Sequence, residues 1–399
     1  MKITEVECFV LLDPKMNVLA TSSAQDDIIV IIHTDEGITG VGETDVNPWM
    51  AKACIMAPGT HTMGQGIREM LIGEDPLQID YLWQKMYEGS AQNGRRGVMI
   101  NAIGAIDIAL HDIRGKKLGK PCHELLGGAK KDFIMPYASL QPECSSFEDY
   151  KNSLAAWAKR AKEMGYRAAK AECTLDGPYA HMGLREPHHR MTEVVEAVRE
   201  AVGEDFTLMV DAQYAFSDAQ TCLQTIRDWQ DFDIYFLEAP IPMDDLEGYR
   251  RLSEEQNIPI AAGEWLATRF EFEELIYRGN VAVVQPDIAR VGGLTEACRV
   301  ADMARRHNLK LVPHLWKTGV SIAAAIHFSA VTEICPFIEF LPSALCESTL
   351  RKELLVEDIL MKDGVLDLPS KPGIGVELDM EALLRFEKTA SEAVAKINL

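Results

Sequence analysis

Three acidic residues each follow one of three consecutive apolar segments. Asp211 ends the segment TLMVD, Glu238 ends IYFLE and Glu264 ends IPIAAGE. Each segment has the length and the polar flanks typical of a buried β-strand. The separations are 238 − 211 = 27 and 264 − 238 = 26 residues, which suit one strand-plus-helix unit each. The pattern predicts three carboxylates side by side at the carboxyl ends of neighbouring parallel strands, where barrel enzymes carry their chemistry.

Carboxylates that crowd together raise one another's pKa unless a cation neutralises them. Mg²⁺ is such a cation, because it binds a few carboxylates together with water and substrate oxygens. We therefore predict that Asp211, Glu238 and Glu264 ligate one Mg²⁺ ion. Any one of these acids could instead only cap the helix that follows it, where Asp and Glu are favoured. Their shared position at three strand ends favours the metal site.

Two later strand ends carry a possible acid–base pair. Asp287 lies in QPDIARVGG and His314 in LVPHLWKTG, one strand apart. If Asp287 accepts a hydrogen bond from the imidazole, it fixes the tautomer and supports the imidazolium, so His314 can act as a general base or acid. The alternative is a core histidine that a nearby acid merely satisfies. The neighbouring metal acids favour the catalytic interpretation.

Lys170 and Glu172 lie two residues apart in AAKAE, so both side chains point to the same side of the predicted strand. Lys170 could bind a substrate carboxylate, or act as a base if a cation lowers its pKa, whereas Glu172 would raise that pKa. A structural ion pair inside the barrel is the alternative. Glu339, in FIEF at the eighth strand, could donate a proton to a developing enolate oxygen or orient it.

The elements that must hold these residues fall into three parts. Residues 1–130 read as an α+β domain, with strands first and helices later. From about residue 131 to 345, eight strand-like segments alternate with helical ones, which favours a (β/α) barrel over an open sheet. Residues 346–399 leave this rhythm and are expected to return to the first domain. Two stretches, 14–25 and 45–62, read as irregular loops that could be lids or mobile surface.

Composition limits the classes of function. The chain has 399 residues, 47% of them hydrophobic, and a formal net charge of −21, which argues against nucleic acid or an anionic membrane as partner. Nine cysteines without a CxxC pair suit a reducing cytoplasm better than a disulfide framework. The first residues do not form a signal peptide, and no apolar run is long enough to span a membrane. These features predict a cytoplasmic enzyme.

The sequence resembles the enolase superfamily, and within it the mandelate racemase subgroup. The resemblance rests on the helix AIGAIDIALHDIRGKKLGKPCHELLGG, on the acids in VDAQ, LEAP and AGEW, and on QPDIARVGG followed by PH. It implies an N-terminal α+β capping domain, completed by the C-terminal segment, and a modified (β/α)7β barrel. It also implies a Mg²⁺-stabilised enediolate, a metal role for the three acids, an Asp287–His314 base dyad and an acid role for Glu339. Relatives of this kind often form symmetric oligomers, so we expect a homo-oligomer.

Two departures from the subgroup pattern bear on the reaction. The second strand of the family commonly carries Lys-x-Lys, whose second lysine is a base, and here that position is Glu172. The third strand often carries Asp-x-Asn, and here it is Asp211-Ala-Gln213. A racemase needs a base on each face, so the first departure favours dehydration of a small anionic sugar acid, with His314 as the base. A racemase, epimerase or cycloisomerase, and a non-catalytic binding protein, are the alternatives.

Residues that could contact a sugar are harder to identify from sequence. Trp49, Trp265 and Trp316 could pack against its carbon chain, although each could equally serve ordinary packing. Glu172 is a further candidate for substrate binding, because it shares the inner face of its strand with Lys170. The sequence does not predict which sugar acid is bound.

Overall fold

The N-terminal part of the protein is a three-stranded antiparallel sheet covered by helices. The computed structural model describes residues 1–397. The sheet has the order β1 (Ile3–Leu12), β2 (Asp26–Thr34) and β3 (Thr39–Thr44). The helices that follow are α1 (Pro48–Met56), α2 (Ile67–Leu71), α3 (Ile79–Gly89), α4 (Val98–Leu118) and α5 (Cys122–Leu125).

One of the two predicted irregular stretches is helical over half of its length, so that expectation was wrong for this half. Within 45–62, α1 begins at Pro48, whose missing N–H costs nothing in the first turn. The side chain of Asn47 caps the helix by accepting a hydrogen bond from the backbone N–H of Met50. The other stretch, 14–25, is irregular except for a single 3₁₀ turn at Ser23–Gln25.

A parallel barrel follows, as predicted. Its strands pair in the order β11-β10-β9-β8-β7-β6-β5-β12. Backbone N–H of Leu311 in β11 donates at 3.1 Å to the carbonyl of Ile334, which lies four residues before β12 begins. The strands are β5 (Pro136–Leu140), β6 (Ala168–Glu172), β7 (Thr207–Asp211), β8 (Ile234–Glu238), β9 (Ile260–Ala262), β10 (Val283–Val284), β11 (Lys310–Leu311) and β12 (Ile338–Phe340).

Helices surround the barrel and connect its strands. Helix α6 shows why they form here: Ser146 caps its first turn through the N–H of Asp149, and an apolar stripe from Phe147 to Ala161 packs into the core. The helices are α6 (Phe147–Glu163), α7 (Arg190–Val202), α8 (Ala219–Thr225), α9 (Leu246–Glu255), α10 (Thr268–Glu274), α11 (Ile288–Val291), α12 (Gly293–Arg306) and α13 (Gly319–Val331).

Helix α4 joins the two domains and is buried along most of its length. Gly42 of β3 lets the helix approach closely, because a Cβ there would lie 1.8 Å from the carbonyl oxygen of Ala105. Gly104 allows the same approach to α11, whose Ala289 carbonyl oxygen would lie 2.4 Å from an added Cβ. The capping domain therefore packs directly against the segment that follows Asp287.

The C-terminal segment contacts both parts. Strand β4 (Phe133–Ile134) pairs antiparallel with β13 (Leu366–Asp367) near the start of the barrel. Beyond α14 (Thr349–Glu353), helix α15 (Met380–Ile397) packs Ala390 against Val10 and Leu12 of β1. All nine cysteines are free thiols. Within residues 1–397, no helix is both long enough and apolar enough to cross a bilayer.

Candidate active site

The ammonium group of Lys170 lies at the centre of a buried cluster of carboxylates. Its Nζ is 2.8 Å from Oε1 of Glu238, 2.8 Å from Oε1 of Glu339 and 3.2 Å from Oδ2 of Asp211. Glu172 is more distant, at 3.7 Å. Burial alone would lower the pKa of Lys170, but these acids raise it well above its ordinary value. Lys170 is therefore held in its protonated form.

Strand register explains why these acids meet. Cα of Glu172 pairs with that of Asp211, which pairs in turn with that of Glu238, so three neighbouring strands end in acids at one level. Gln285 donates from Nε2 to Oε2 of Glu238 at 2.6 Å. Burial raises the pKa of Glu238 well above its usual range, with Lys170 opposing and Asp211 adding to that rise.

The predicted dyad is formed on the other side of the site. Nδ1 of His314 lies 2.7 Å from Oδ2 of Asp287, and Nε2 lies 3.3 Å from Oε2 of Glu264. Asp287 is fixed because its Oδ1 accepts from the backbone N–H groups of Ala289 and Arg290, at the start of α11. An ionised carboxylate only accepts, so Nδ1 carries a proton and Nε2 is the atom free to exchange one.

Opposing effects set the pKa of His314. Burial lowers it most and Arg290 lowers it further, but Glu264, Glu339 and the hydrogen bond to Asp287 together raise it to about 9. An imidazole with this pKa is protonated at neutral pH and must lose its proton before it can act as a base.

The three predicted metal acids are shared between the two sides. Asp211 and Glu238 contact Lys170, whereas Glu264 contacts His314. Their chemistry suits a hard divalent cation: all are buried oxygen donors, and four carboxylates surround the single ammonium of Lys170. Glu172 in addition has a buried Oε2 without a hydrogen-bond partner.

Another group in residues 1–397 brings its ligand atoms closer together. Atoms of Asp45, Asp287 and His314 all lie within 4.8 Å of one another. Asp45 already receives a hydrogen bond at 2.5 Å from Arg290 and lies 3.5 Å from Nζ of Lys317. Its charge is therefore compensated by protein cations, as the charges of Asp211 and Glu238 are by Lys170. Charge compensation does not distinguish the two groups.

A cavity of about 180 Å³ lies between the two sides. Of the predicted residues, it is lined by Lys170, Glu172, Asp211, Glu264, Trp265, His314 and Trp316. Glu238, Asp287 and Glu339 are buried behind this layer. Trp49 is not among the residues that line it. That side chain packs instead with Val10, Leu12 and Ala390 in the capping domain, so the structure gives no support to its predicted contact with substrate.

The loop 14–25 covers this cavity through residues that the sequence analysis did not identify. Ser22 Oγ accepts a hydrogen bond from Nε1 of Trp316 at 2.8 Å. The next residue, Lys317, is 1% exposed in its side chain and donates to the carbonyl of Ser23 and, at 2.9 Å, to Oδ1 of Asp26. Trp316 and Lys317, which hold the loop, thus lie two and three residues after His314 in the sequence. Arg290 and Tyr214 also line the cavity and were missed.

Comparisons with known proteins identify the class. Residues 3–127 match the family described as mandelate racemase / muconate lactonizing enzyme, N-terminal domain, and residues 153–382 match the enolase C-terminal domain-like family. These matches agree with the capping domain, the parallel barrel and the strand-end acids. The chain belongs to the mandelate racemase / muconate lactonizing enzyme family of the enolase superfamily, which confirms the resemblance noted in the sequence.

The relatives of this chain are named for different reactions. The chain is 31% identical to a D-galactarolactone cycloisomerase of Agrobacterium fabrum, covering 97% of this chain and 99% of that protein. It is 33% identical to an arabinonate dehydratase of Saccharolobus solfataricus, covering 86% of both. A racemase from Streptomyces coelicolor A3(2) with bound magnesium superposes with a TM-score of 0.81 at 27% identity, over 96% of this chain and 99% of that one.

Proposed function

We propose that this protein is a Mg²⁺-dependent dehydratase that converts an acid sugar, an aldonate or aldarate, into a 2-keto-3-deoxy acid. The observation that carries the proposal is the asymmetry of the site. Nε2 of His314, to which we assign the proton exchange, faces one carboxylate, whereas Lys170 is enclosed by four. Elimination of water needs only one such base, and racemisation needs two. The similarity to an arabinonate dehydratase supports the same reaction class.

Asp211, Glu238 and Glu264 would hold the Mg²⁺ ion. When bound, the ion supplies the positive charge that stabilises negative charge developing on the substrate carboxylate. The racemase from Streptomyces coelicolor, with its bound magnesium, supports this choice of cation. We assign Lys170 to the same end of the substrate, as a fixed cation beside the carboxylate and not as a base.

His314 performs both proton steps in this proposal. Nε2 takes the proton from the carbon next to the substrate carboxylate, and Asp287 stabilises the resulting imidazolium through Nδ1. The same proton then passes to the β-hydroxyl, which leaves as water and yields an enol. The enol becomes the 2-keto-3-deoxy acid by taking a proton at C3. Glu339, held behind Lys170, orients the cluster from β12.

The test is a panel of mono- and diacid sugars with purified protein and Mg²⁺, read by semicarbazide trapping of 2-keto acids. A semicarbazone that forms with one acid and disappears when Mg²⁺ is chelated is the expected result. No 2-keto acid from any member of the panel, with Mg²⁺ binding shown separately, would overturn dehydration.

Isomerisation through the same intermediate is the second candidate. It is favoured by the similarity to a D-galactarolactone cycloisomerase over 97% of this chain. NMR in deuterated water separates the two reactions on the same panel. Deuterium that enters recovered substrate or an isomer, without loss of water, would identify a racemase, epimerase or cycloisomerase.

A further inference from the structure

Tyr214 has an unusual backbone immediately after the predicted metal ligand of β7. Gln213 has φ of 42° and Tyr214 has φ of 60°, both in the left-handed region that side chains other than glycine rarely adopt. Two hydrogen bonds hold this turn: Gln213 N–H donates to Oδ1 of Asp211 at 2.8 Å, and Tyr214 N–H donates to the carbonyl of Ala239 at 2.6 Å. Strained residues persist where the surrounding structure enforces them, and they cluster at functional sites.

The turn places the ring of Tyr214 in the wall of the catalytic cavity. The ring lies 4.1 Å from that of Trp265, with an angle of 31° between their planes. Tyr179 packs edge-on against Trp265 at 5.3 Å, and all three residues line the cavity with Lys170 and His314. Aromatic faces of this kind pack well against the C–H groups of a carbohydrate chain.

The hydroxyl of Tyr214 is buried and has no hydrogen-bond partner. Buried polar atoms of proteins are almost always paired, so an unpaired one requires an explanation. The carboxylate of Glu264 lies beside this hydroxyl, but the two groups do not meet hydrogen-bond geometry.

We propose that Tyr214 is a specificity-determining residue, whose phenol donates a hydrogen bond to one hydroxyl oxygen of a polyhydroxy acid while its ring and Trp265 pack against the carbon chain. The inference rests on the proposed function for its substrate class. Tyr214 is a further residue of the site, and neither the strand-end acids nor the candidate tryptophans of the sequence analysis indicated it. A site that hydrogen-bonds a substrate hydroxyl discriminates against analogues that lack it, because its own polar group is then left unpaired.

A purely structural role predicts a different behaviour. Tyr214 lies close enough to Glu264 for the carboxylate to raise the pKa of the phenol. If the phenol served only to orient Glu264, its removal would weaken Mg²⁺ binding and reduce the affinity for every acid by the same factor. The two roles are therefore separated by how the effect depends on the ligand.

The experiment is calorimetric titration of the Mg²⁺-loaded protein in a His314→Asn background, which prevents turnover. The probes are the sugar acid of the panel that binds most tightly and its monodeoxy analogues. We expect Tyr214→Phe to weaken binding of the intact acid roughly tenfold, the size of one neutral hydrogen bond. For one monodeoxy analogue, the loss on Tyr214→Phe should vanish, and Mg²⁺ affinity should be unchanged.

Tyr249→Phe is the matched control, because Tyr249 is equally buried but donates to the carbonyl of Ile241 at 2.8 Å, outside the cavity lining. It should leave ligand discrimination unchanged. An equal loss for all analogues, a weaker Mg²⁺ affinity, no effect of Tyr214→Phe, or no binding by any acid would each overturn the inference. Binding without 2-keto acid formation by the unsubstituted enzyme would overturn dehydration alone.

Discussion

The cavity of the candidate active site has two sides, and the basic residue on each side is surrounded by carboxylates in a different way. On one side, Lys170 lies within 3.7 Å of four carboxylates, and Glu238, Glu339 and Asp211 among them raise its pKa. On the other, His314 has a single dedicated carboxylate on Nδ1, while Nε2 lies 3.3 Å from Glu264. Both cations are buried, so neither is screened by bulk water.

The difference shows which group can exchange protons. The acids keep the pKa of Lys170 well above its ordinary value, whereas that of His314 is raised only to about 9. A general base works best when its pKa lies near the operating pH. In the proposed mechanism, one side of the cavity holds charge in place, and the other moves a proton. This division is what the proposed elimination requires.

The largest effect should come from removing the base. His314→Asn keeps a polar side chain of similar size but cannot take the α-proton, so turnover should fall by roughly 10³–10⁴-fold, near the upper range for one acid–base group. The measurement is 2-keto acid formation at saturating Mg²⁺. His33→Asn, on β2 of the capping domain, is the control and should keep full activity. A comparable loss in Lys170→Met, with His314→Asn nearly active, would reverse the assignment of the two sides.

The second prediction tests whether Lys170 neutralises the acids. Lys170→Met leaves Glu238, Glu339 and Asp211 facing one another without a cation, and removal of one partner from a buried ion pair costs roughly 3–5 kcal/mol. The free energy of unfolding in chelator should fall by that order, as measured by urea titration. Mg²⁺ should then stabilise the variant more than the parent protein. Equal stabilisation of both by Mg²⁺ would show that the ion does not share these acids with Lys170.

The sequence alone was sufficient to predict the side chains that lie at the ends of the barrel strands. The (β/α) barrel was predicted correctly because an apolar strand followed by an acid, repeated every 26 or 27 residues, leaves little freedom in how the strands pair. The same regularity brought Asp287 and His314 within hydrogen-bond distance. Local sequence carries such information, since strand order in a barrel follows chain order.

Contacts between the capping domain and the barrel were not predictable in this way. Arg290 meets Asp45 across 245 residues, and Lys317 meets Asp26 across 291. No periodic pattern encodes such pairs. The sequence analysis did not identify Tyr214, because its orientation depends on a left-handed backbone conformation at Gln213 and Tyr214. Neither residue type indicates that conformation. Trp49 was a candidate for substrate contact in a stretch predicted to be irregular, but the Asn47 cap and Pro48 make that segment a helix.

A smaller effect is expected from weakening the support of the base. Asp287→Asn keeps an oxygen that can cap α11 but weakens the hydrogen bond that helps to raise the pKa of His314. The imidazole must be neutral to act as a base, so activity rises with pH through its pKa. A lower pKa moves this acid limb to lower pH, by about one unit, while the plateau rate falls. The pH profile of kcat/KM measures both, and a shift to higher pH would contradict the assignment.

The smallest expected effect is a change in stability, and it comes from substituting two acids on the Lys170 side of the cavity. Glu339 lies 2.8 Å from Nζ, whereas Glu172 lies at 3.7 Å and has a buried oxygen without a partner. Burial raises the pKa of Glu172 well above its usual range, and Asp211 raises it further, so the fold takes up a proton there that the unfolded chain has lost at neutral pH. Stability from this residue therefore declines as pH rises above about 4.3, the ordinary value for glutamate.

Glu172→Gln removes that decline, because the amide does not ionise. In chelator, the variant should be more stable than the parent protein at pH 7, by roughly 1 kcal/mol, and nearly equal to it near pH 4. Glu339→Gln should be less stable at pH 7, since it loses a charged contact to Lys170, and its NH2 group cannot accept the Leu315 backbone N–H that donates to Oε2 at 2.7 Å. Urea unfolding at the two pH values measures both variants. If Glu172→Gln were destabilised as much as Glu339→Gln, the two acids would hold Lys170 equally, and the unpaired oxygen of Glu172 would not distinguish it.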